Sequence, residues 1–294
     1  MKSALVLGGT RFFGVKLVQA LLEKGVKVTV ATRGNTEVPF YDQVEKIQFD
    51  RSNSASFHSA FEGRKWDIIY DQICYSSNEA KNAISVFSNK TDKYVFTSSL
   101  SVYELKDKIL EESDFDPYTY PVRYTESDEV TYNEGKRLAE AVFFQESPFP
   151  VTAVRFPIVL GEQDYTERML FYIRKALHDE VIYLRNPDAS ICFISEEEAG
   201  DFLAWIGLQS YSGPINACTN GSVRLNEFIE YINETTHKRA HVQQSSDDSR
   251  STPYSIPGNW VMSNEKARSL GYRFKELKEY LPDIIQTEVQ KLKG

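Results

Sequence analysis

The chain has 294 residues, 41% hydrophobic and 26% charged, which excludes a disordered or low-complexity chain and suggests one large domain or two ordinary ones. Thirty-four Lys plus Arg stand against forty-two Asp plus Glu, a net charge of −8, so a general binder of phosphate backbones or anionic membranes is not expected. No apolar run approaches the roughly 18–20 residues of a membrane helix, and the apolar part of the opening MKSALVLGG is too short for a signal peptide. Cys74, Cys192 and Cys218 are widely spaced and odd in number, suiting neither a disulfide framework nor a metal site. His237 and His241 stand four apart, with no Cys or carboxylate to complete a ligand set. The expectation is a soluble, reduced, cytoplasmic protein without a bound metal.

The first half alternates short apolar runs with amphipathic stretches. Ser3–Leu7 reads as a buried strand ending at glycines, and Phe13–Glu23 places Val15, Val18, Leu21 and Leu22 at helical spacing. Gly25 ends that helix, and Val26–Ala31 reads as a second strand. Further predicted strands are Lys46–Phe49, Asp67–Ile73, Lys93–Ser98 and Val151–Arg155. Helices are predicted between them at Ser54–Phe61, Ser77–Phe87 and Asn133–Gln145. This alternation predicts an α/β fold, a Rossmann-type doubly wound parallel sheet joined by right-handed crossovers. After Gly161 the pattern loosens, with helices predicted at Glu167–His178, Glu197–Gly207, Leu225–Thr235 and Asn264–Leu270 and a strand at Val181–Leu184. Gln243–Pro257 reads as a polar surface loop or lid. The expected organisation is a dinucleotide-binding domain over 1–163, with a segment near 190–218 returning to it, and a smaller C-terminal α/β substrate cap over 164–294.

The first strand runs into Gly8-Gly9-Thr10-Arg11-Phe12-Phe13-Gly14 and then a helix. Glycines at such a turn let the backbone approach a pyrophosphate, and the helix N-terminus offers free N–H groups and a positive dipole. Nucleotide binding is therefore expected, with Arg11 standing where the middle glycine of a G-x-x-G-x-x-G spacing would be. The end of the second strand meets the adenosine ribose in such folds, where an acid selects a free 2′-OH and an Arg accommodates a 2′-phosphate. Here the residues are Thr32-Arg33-Gly34, with no acid, so NADP(H) is favoured over NAD(H). Arg11 and Arg51 are candidates to converge there too, although all three arginines also suit solvated surface positions. Asp50, after the third strand, is a candidate partner for the adenine amine.

Tyr132-Asn133-Glu134-Gly135-Lys136 is a Tyr-x-x-x-Lys at the start of a predicted helix, and none of the other sixteen tyrosines has a Lys four residues later. Positions i and i+4 share a helix face, which brings the ammonium near the phenol. Moving a phenol from about 10 towards 7 takes roughly 4 kcal/mol. A charge about 4 Å away supplies up to that much at an effective dielectric near 20, before desolvation is subtracted. Val95–Tyr103 (VFTSSLSVY) is a strand ending in hydroxyls, where Ser99 is placed to hydrogen-bond a substrate oxygen while Tyr132 moves the proton. The same cluster also suits a plain turn cap.

Together these motifs resemble the extended short-chain dehydrogenase/reductase family, the NAD-dependent epimerase/dehydratase group. The resemblance runs from GGTRFFG through FTSSLSVY and YNEGKRLAE to VRFPIVLGE, FISEEEAGDFL and a closing LGYRF. It implies catalytic roles for Ser99, Tyr132 and Lys136, cofactor contacts at Gly8, Gly14 and Asp50, and a stretch beside the nicotinamide at Arg155–Val159, including Pro157. Arg11 in the glycine loop resembles a subgroup that includes chloroplast stem-loop RNA-binding proteins and bacterial proteins of undefined substrate. Nucleotide-sugar dehydratases of the family carry Thr-Asp-Glu before Val-Tyr, whereas this chain has Ser99-Leu100-Ser101 before Val102-Tyr103, so water elimination is not expected.

The leading expectation is an NAD(P)-dependent oxidoreductase or epimerase of a hydroxyl or carbonyl substrate, such as a nucleotide sugar, with the NADP(H) preference tilting towards a reductase. The alternatives are an RNA-binding protein on a dinucleotide-binding fold and a non-catalytic NADP sensor. The negative charge speaks against nucleic acid, and the Ser–Tyr–Lys set, which a sensor has no need of, speaks against the other. A small molecule is the expected partner, and homodimer formation stays open.

Overall fold

The computed structural model describes residues 1–37, 40, 42–250 and 252–293. In chain order the first unit runs β1 (Ser3–Leu7), α1 (Phe13–Glu23), β2 (Lys27–Thr32), β3 (Glu45–Gln48), α2 (Ser54–Ala60), β4 (Trp66–Asp71), α3 (Ser77–Phe87), β5 (Thr91–Ser99), α4 (Tyr132–Glu146) and β6 (Val151–Phe156). The chain continues with β7 (Ile158–Leu160), α5 (Arg168–Leu177), β8 (Val181–Leu184), β9 (Ser190–Ile191) and β10 (Phe193–Ser195) in a second unit. It returns to the first with α6 (Glu196–Leu208) and β11 (Gly213–Asn216). The second unit closes with β12 (Val223–Arg224), α7 (Leu225–Thr236), β13 (His241–Gln244), α8 (Glu265–Ser269) and α9 (Leu277–Lys293).

Seven strands form one sheet in the order β11-β6-β5-β4-β1-β2-β3, every neighbouring pair parallel. This is a Rossmann-type α/β fold, and the order reverses between β1 and β4, where ligands of open α/β sheets bind. Residues 4–7 of β1 and all of β6 are buried, as strands covered on both faces by crossover helices must be. On one face, α2, α3 and α4 share a core with the sheet that includes Phe57, Ala83, Ala139, Ile69 and Phe96. Elsewhere in this unit α6 lies against α1 so closely that a Cβ on Gly200 would come within 2.5 Å of the Lys16 Cβ.

No strand is expected from the sequence at Gly213–Asn216, yet β11 pairs with β6 from Gly213↔Thr152 to Asn216↔Arg155. Gly213 and Pro214 look like a turn, but β11 is an edge strand, where a residue without an N–H is tolerated.

In the second unit, Met169, Tyr172 and Ile173 of α5 pack with Phe228 and Ile232 of α7 and with Leu277, Leu281, Ile285 and Val289 of α9. The expected surface loop or lid at Gln243–Pro257 holds for the mostly exposed residues 245–250 and is corrected at its two ends, Ser251 lying outside the described residues. Its first two residues finish β13, which pairs in parallel with β8, and Tyr254 is buried with its ring stacked 5.1 Å from that of Tyr172. The Tyr172 hydroxyl accepts from the Tyr254 N–H at 2.8 Å and donates to Thr252 Oγ1 at 3.0 Å. Two anchoring aromatic rings thus outweigh the polar composition of the segment.

Candidate active site

All the strands of the first sheet point their carboxyl ends the same way, so the segments after β1, β2, β3, β4 and β5 gather at one edge. The loop after β1 leads into α1 at Phe13, and Gly14 N–H donates to the Arg11 carbonyl at 3.0 Å. A Cβ at Gly14 would stand 2.4 Å from the Gln72 side-chain oxygen and 2.9 Å from the Gly9 Cα, so only glycine lets α1 start this close to the strands. Phe12 adopts a left-handed φ of 52°, a conformation that a non-glycine residue keeps only where its surroundings hold it. Gln72 Nε2, at the end of β4, is buried without a hydrogen-bond partner. A cradle that excludes a Cβ and an orphaned buried donor beside it fit a dinucleotide.

Around the neighbouring strand ends, Thr32 Oγ1 accepts from the Gly34 N–H at 3.1 Å and leaves Arg33 exposed. Arg11 donates to Thr36 Oγ1 at 3.3 Å. Asp50 accepts from the hydroxyl and the N–H of Ser52, at 2.7 and 3.0 Å, and these bonds hold its carboxyl below the usual carboxylate range, with the Arg33 charge adding to the effect.

Arg51 is different. It is buried, and its guanidinium grips Asp71 with two parallel 2.8 Å bonds. Burial opposes its charge, but Asp71 more than offsets this and holds the guanidinium well above its usual range. The expectation that Arg51 joins Arg33 at a cofactor phosphate is therefore corrected, because its charge is already engaged inside the protein.

Helix α4 begins at Tyr132, which is 54% exposed, while Lys136, one turn on, is 2% exposed. The Lys136 ammonium donates to the Cys74 carbonyl at 2.7 Å and the Thr97 carbonyl at 2.9 Å. It lies 4.5, 4.9 and 5.7 Å from the ring centroids of Tyr75, Phe96 and Tyr132. Carbonyls and ring faces both attract a cation, so the ammonium is held in place by these contacts. Gly135 makes this seat possible, since a Cβ there would meet the Tyr75 carbonyl oxygen at 2.2 Å. Burial pushes the Cys74 thiol up, with Arg51 opposing it, so Cys74 takes part through its carbonyl and not as a thiolate.

Ser99 ends β5, two residues beyond the carbonyl that holds Lys136. Its Oγ accepts from the Ser101 N–H at 3.1 Å and lies 3.0 Å from the Ser101 hydroxyl, so it caps the short turn that follows. Thr97 Oγ1 is buried without a partner. Ser98 turns the other way and donates to Glu140, which also pairs with Arg155. Arg155 and Glu140 are both fully buried. The guanidinium binds Glu140 through Nε at 3.0 Å and Nη2 at 2.6 Å, and it also reaches the Tyr103 hydroxyl and the carbonyls of Glu112 and Phe115. The Arg155 side chain thus points into the interior, and Pro157 follows directly after β6. Among the described residues, no group of three His, Cys, Asp or Glu is arranged to hold a metal ion, and no helix is long and apolar enough to cross a membrane.

This fold and loop define a dinucleotide-binding protein of the Rossmann class. Residues 4–206 match the NAD dependent epimerase/dehydratase family, and the chain belongs to it. Over 150 residues it is 27% identical to the chloroplast stem-loop binding protein of 41 kDa b of Arabidopsis thaliana, a stretch covering 46% of this chain but only 39% of that protein. Solved structures with a similar fold include the UDP-glucose 4-epimerase of Thermus thermophilus in complex with NAD (19% identity, 99% of both chains, TM-score 0.72). Pal from Bacillus thuringiensis (19%, 99% of both chains, TM-score 0.77) is another. So is the dTDP-glucose 4,6-dehydratase of Bacillus anthracis in complex with NAD (14%, 99% of this chain and 97% of that one, TM-score 0.75).

Proposed function

We propose that this chain is an NAD(P)-dependent epimerase or reductase of a hydroxyl or carbonyl substrate, a nucleotide sugar being the first class to try. Its main support is the Lys136 ammonium, seated on two backbone carbonyls one helical turn below an exposed Tyr132. In this reading Gly8, Thr10, Arg11, Phe12, Phe13 and Gly14 receive the pyrophosphate and Asp50 the adenine amine, with Pro157 beside the nicotinamide. The dinucleotide, when bound, supplies the hydride acceptor and donor. Tyr132 takes or returns the hydroxyl proton, Lys136 holds the ribose and stabilises the phenolate, and Ser99 turns its hydroxyl to the substrate oxygen. Ser99, Leu100 and Ser101 offer no acid at the position after β5, which favours hydride chemistry over water elimination. The test is a panel of nucleotide sugars and simple carbonyls, read by nicotinamide absorbance for net oxidation or reduction and by NMR for epimers. No turnover of any of them, with cofactor bound, would defeat the reading.

For the cofactor, NADP(H) is expected to bind about ten- to a hundredfold more tightly than NAD(H). Exposed Arg33 offers a 2′-phosphate charge-assisted bonds worth roughly 1.5–3 kcal/mol, and Thr32 stands at the end of β2 where an acid would favour the free diol. Titration of both cofactors checks this, and Thr32→Asp/Arg33→Ala should reverse the order. Equal affinities in the wild type would make Arg33 a plain surface charge.

The likeness to a stem-loop binding protein keeps RNA as a second reading. A chain of net charge −8 should bind structured RNA weakly, with the complex lost by physiological salt. Filter binding across a salt series decides this, and a salt-resistant submicromolar complex would reverse the ranking.

A further inference from the structure

Arg51 and Asp71 lie outside the reacting residues, yet besides the Tyr94 hydroxyl and the Phe57 ring their contacts lead to the segment that carries Lys136's anchor. Asp71 ends β4, and besides Arg51 it accepts from the Tyr94 hydroxyl and, at 3.1 Å, from the Ile73 N–H. Arg51 in turn donates to the Glu79 carbonyl at 3.2 Å. The Glu79 carboxylate reaches back to the Tyr75 N–H, and the Ser76 hydroxyl caps α3 by accepting from the Glu79 N–H. The five-residue turn Gln72–Ser76 is thus fastened at its start through Ile73 and at its end through Tyr75 and Ser76. Between those fastenings lie the Cys74 carbonyl, which receives the Lys136 ammonium, and the Tyr75 carbonyl, against which Gly135 packs.

We infer that the buried Arg51–Asp71 pair is a positioning device for Lys136, fixing the turn Gln72–Ser76 so that the Cys74 carbonyl and Tyr75 ring hold the ammonium beneath Tyr132. The inference rests on the assignment of Lys136 to the reacting site. Two carboxylates, Asp71 and Glu79, face one guanidinium here. Losing Arg51 leaves Asp71 buried and charged, and the turn must rearrange to hydrate it. Losing the Asp71 charge alone keeps the shape and weakens the grip.

The experiment is lysine footprinting of the full chain with limiting acetic anhydride, read by mass spectrometry. The internal control is Lys93, another buried lysine of the same unit, whose ammonium donates to the carbonyls of Ile206 and Gln209. In Arg51→Leu, acetylation of Lys136 should rise at least about tenfold while Lys93 stays within about twofold. Asp71→Asn, nearly isosteric, should show the same selectivity more mildly if Arg51→Leu fails to fold, and Arg51→Lys should restore part of the protection. Unchanged reactivity of Lys136, or Lys93 and Lys136 rising together, would overturn the inference, since the second pattern is what general loosening gives.

NADP+ titration separates this from the functional reading. Arg51→Leu and Lys136→Ala should each weaken binding, and the double variant should be no weaker than Lys136→Ala alone. Additive losses would count against positioning. A Lys136→Ala protein that binds NADP+ normally would instead defeat the role of Lys136 at the ribose, while the footprint still decides what Arg51 holds.

Discussion

Replacing Tyr132 by Phe should lower turnover at least about a hundredfold, the scale of a lost general acid–base group, while cofactor affinity stays nearly unchanged. The ring stands 6.3 Å from that of Tyr75, and phenylalanine keeps that packing and loses only the hydroxyl. Lys136→Ala should behave otherwise. It removes the ammonium from the Cys74 and Thr97 carbonyls, leaving two buried acceptors unsatisfied at about 1–3 kcal/mol each, so cofactor affinity, turnover and stability should all fall. Steady-state kinetics with a substrate found in the panel, beside cofactor titration, distinguishes the two patterns. A Tyr132→Phe protein that keeps most of its turnover removes this tyrosine from the proton path.

The largest effect on stability is expected at Arg155. Arg155→Leu should destabilise the protein by about 3–5 kcal/mol, because it leaves the Glu140 carboxylate buried without its partner. Both side chains are fully buried, so water cannot compensate the lost charge. The Tyr103 hydroxyl and the Glu112 and Phe115 carbonyls lose a donor at the same time. Replacing both partners by apolar residues, as in Arg155→Met/Glu140→Leu, should recover much of the loss. By comparison, breaking the exposed Arg224–Glu227 pair with Arg224→Leu should change stability little, because water screens both charges. Urea unfolding of these three variants beside wild type gives the comparison, and an Arg155→Leu protein within about 1 kcal/mol of wild type would show that Glu140 finds another partner.

The sequence was most legible where a residue's job follows from its own backbone. Tyr132 and Lys136 are one turn apart on any helix, so their pairing needs no knowledge of the rest of the fold. β1, β2, β4, β5 and β6 were readable because burial on both faces leaves largely apolar runs, whereas the edge strand β3 buries only Ile47. The seat of Lys136 was not readable, because it is built from the carbonyls of Cys74 and Thr97, and a carbonyl carries no residue-type signal. Arg51 was misread for a related reason. An arginine after the third strand looks like a surface cation until the fold brings it to Asp71, twenty residues on. Helix α9 also went unassigned, although Leu277, Leu281, Ile285 and Val289 recur every fourth residue and are all buried. Pro282 interrupts the pattern as a helix breaker would, yet α9 runs through it.

The return of α6 and β11 to the first unit bears on how the protein is made. Chain synthesis delivers β1 to β6 first, but the outer edge of β6 and the face of α1 around Lys16 and Leu17 await residues 196–217. Until those residues leave the ribosome, the nascent sheet presents a parallel strand edge that templates pairing with other chains. Folding of this unit is therefore bound to contacts distant in sequence and should be slow for its size. The intervening second-unit residues 157–195 form, in effect, an insertion looped out of an unfinished nucleotide-binding unit. A fragment ending before residue 196 is therefore expected to be less stable and more prone to aggregate than the full chain, as light scattering during refolding of the two would show.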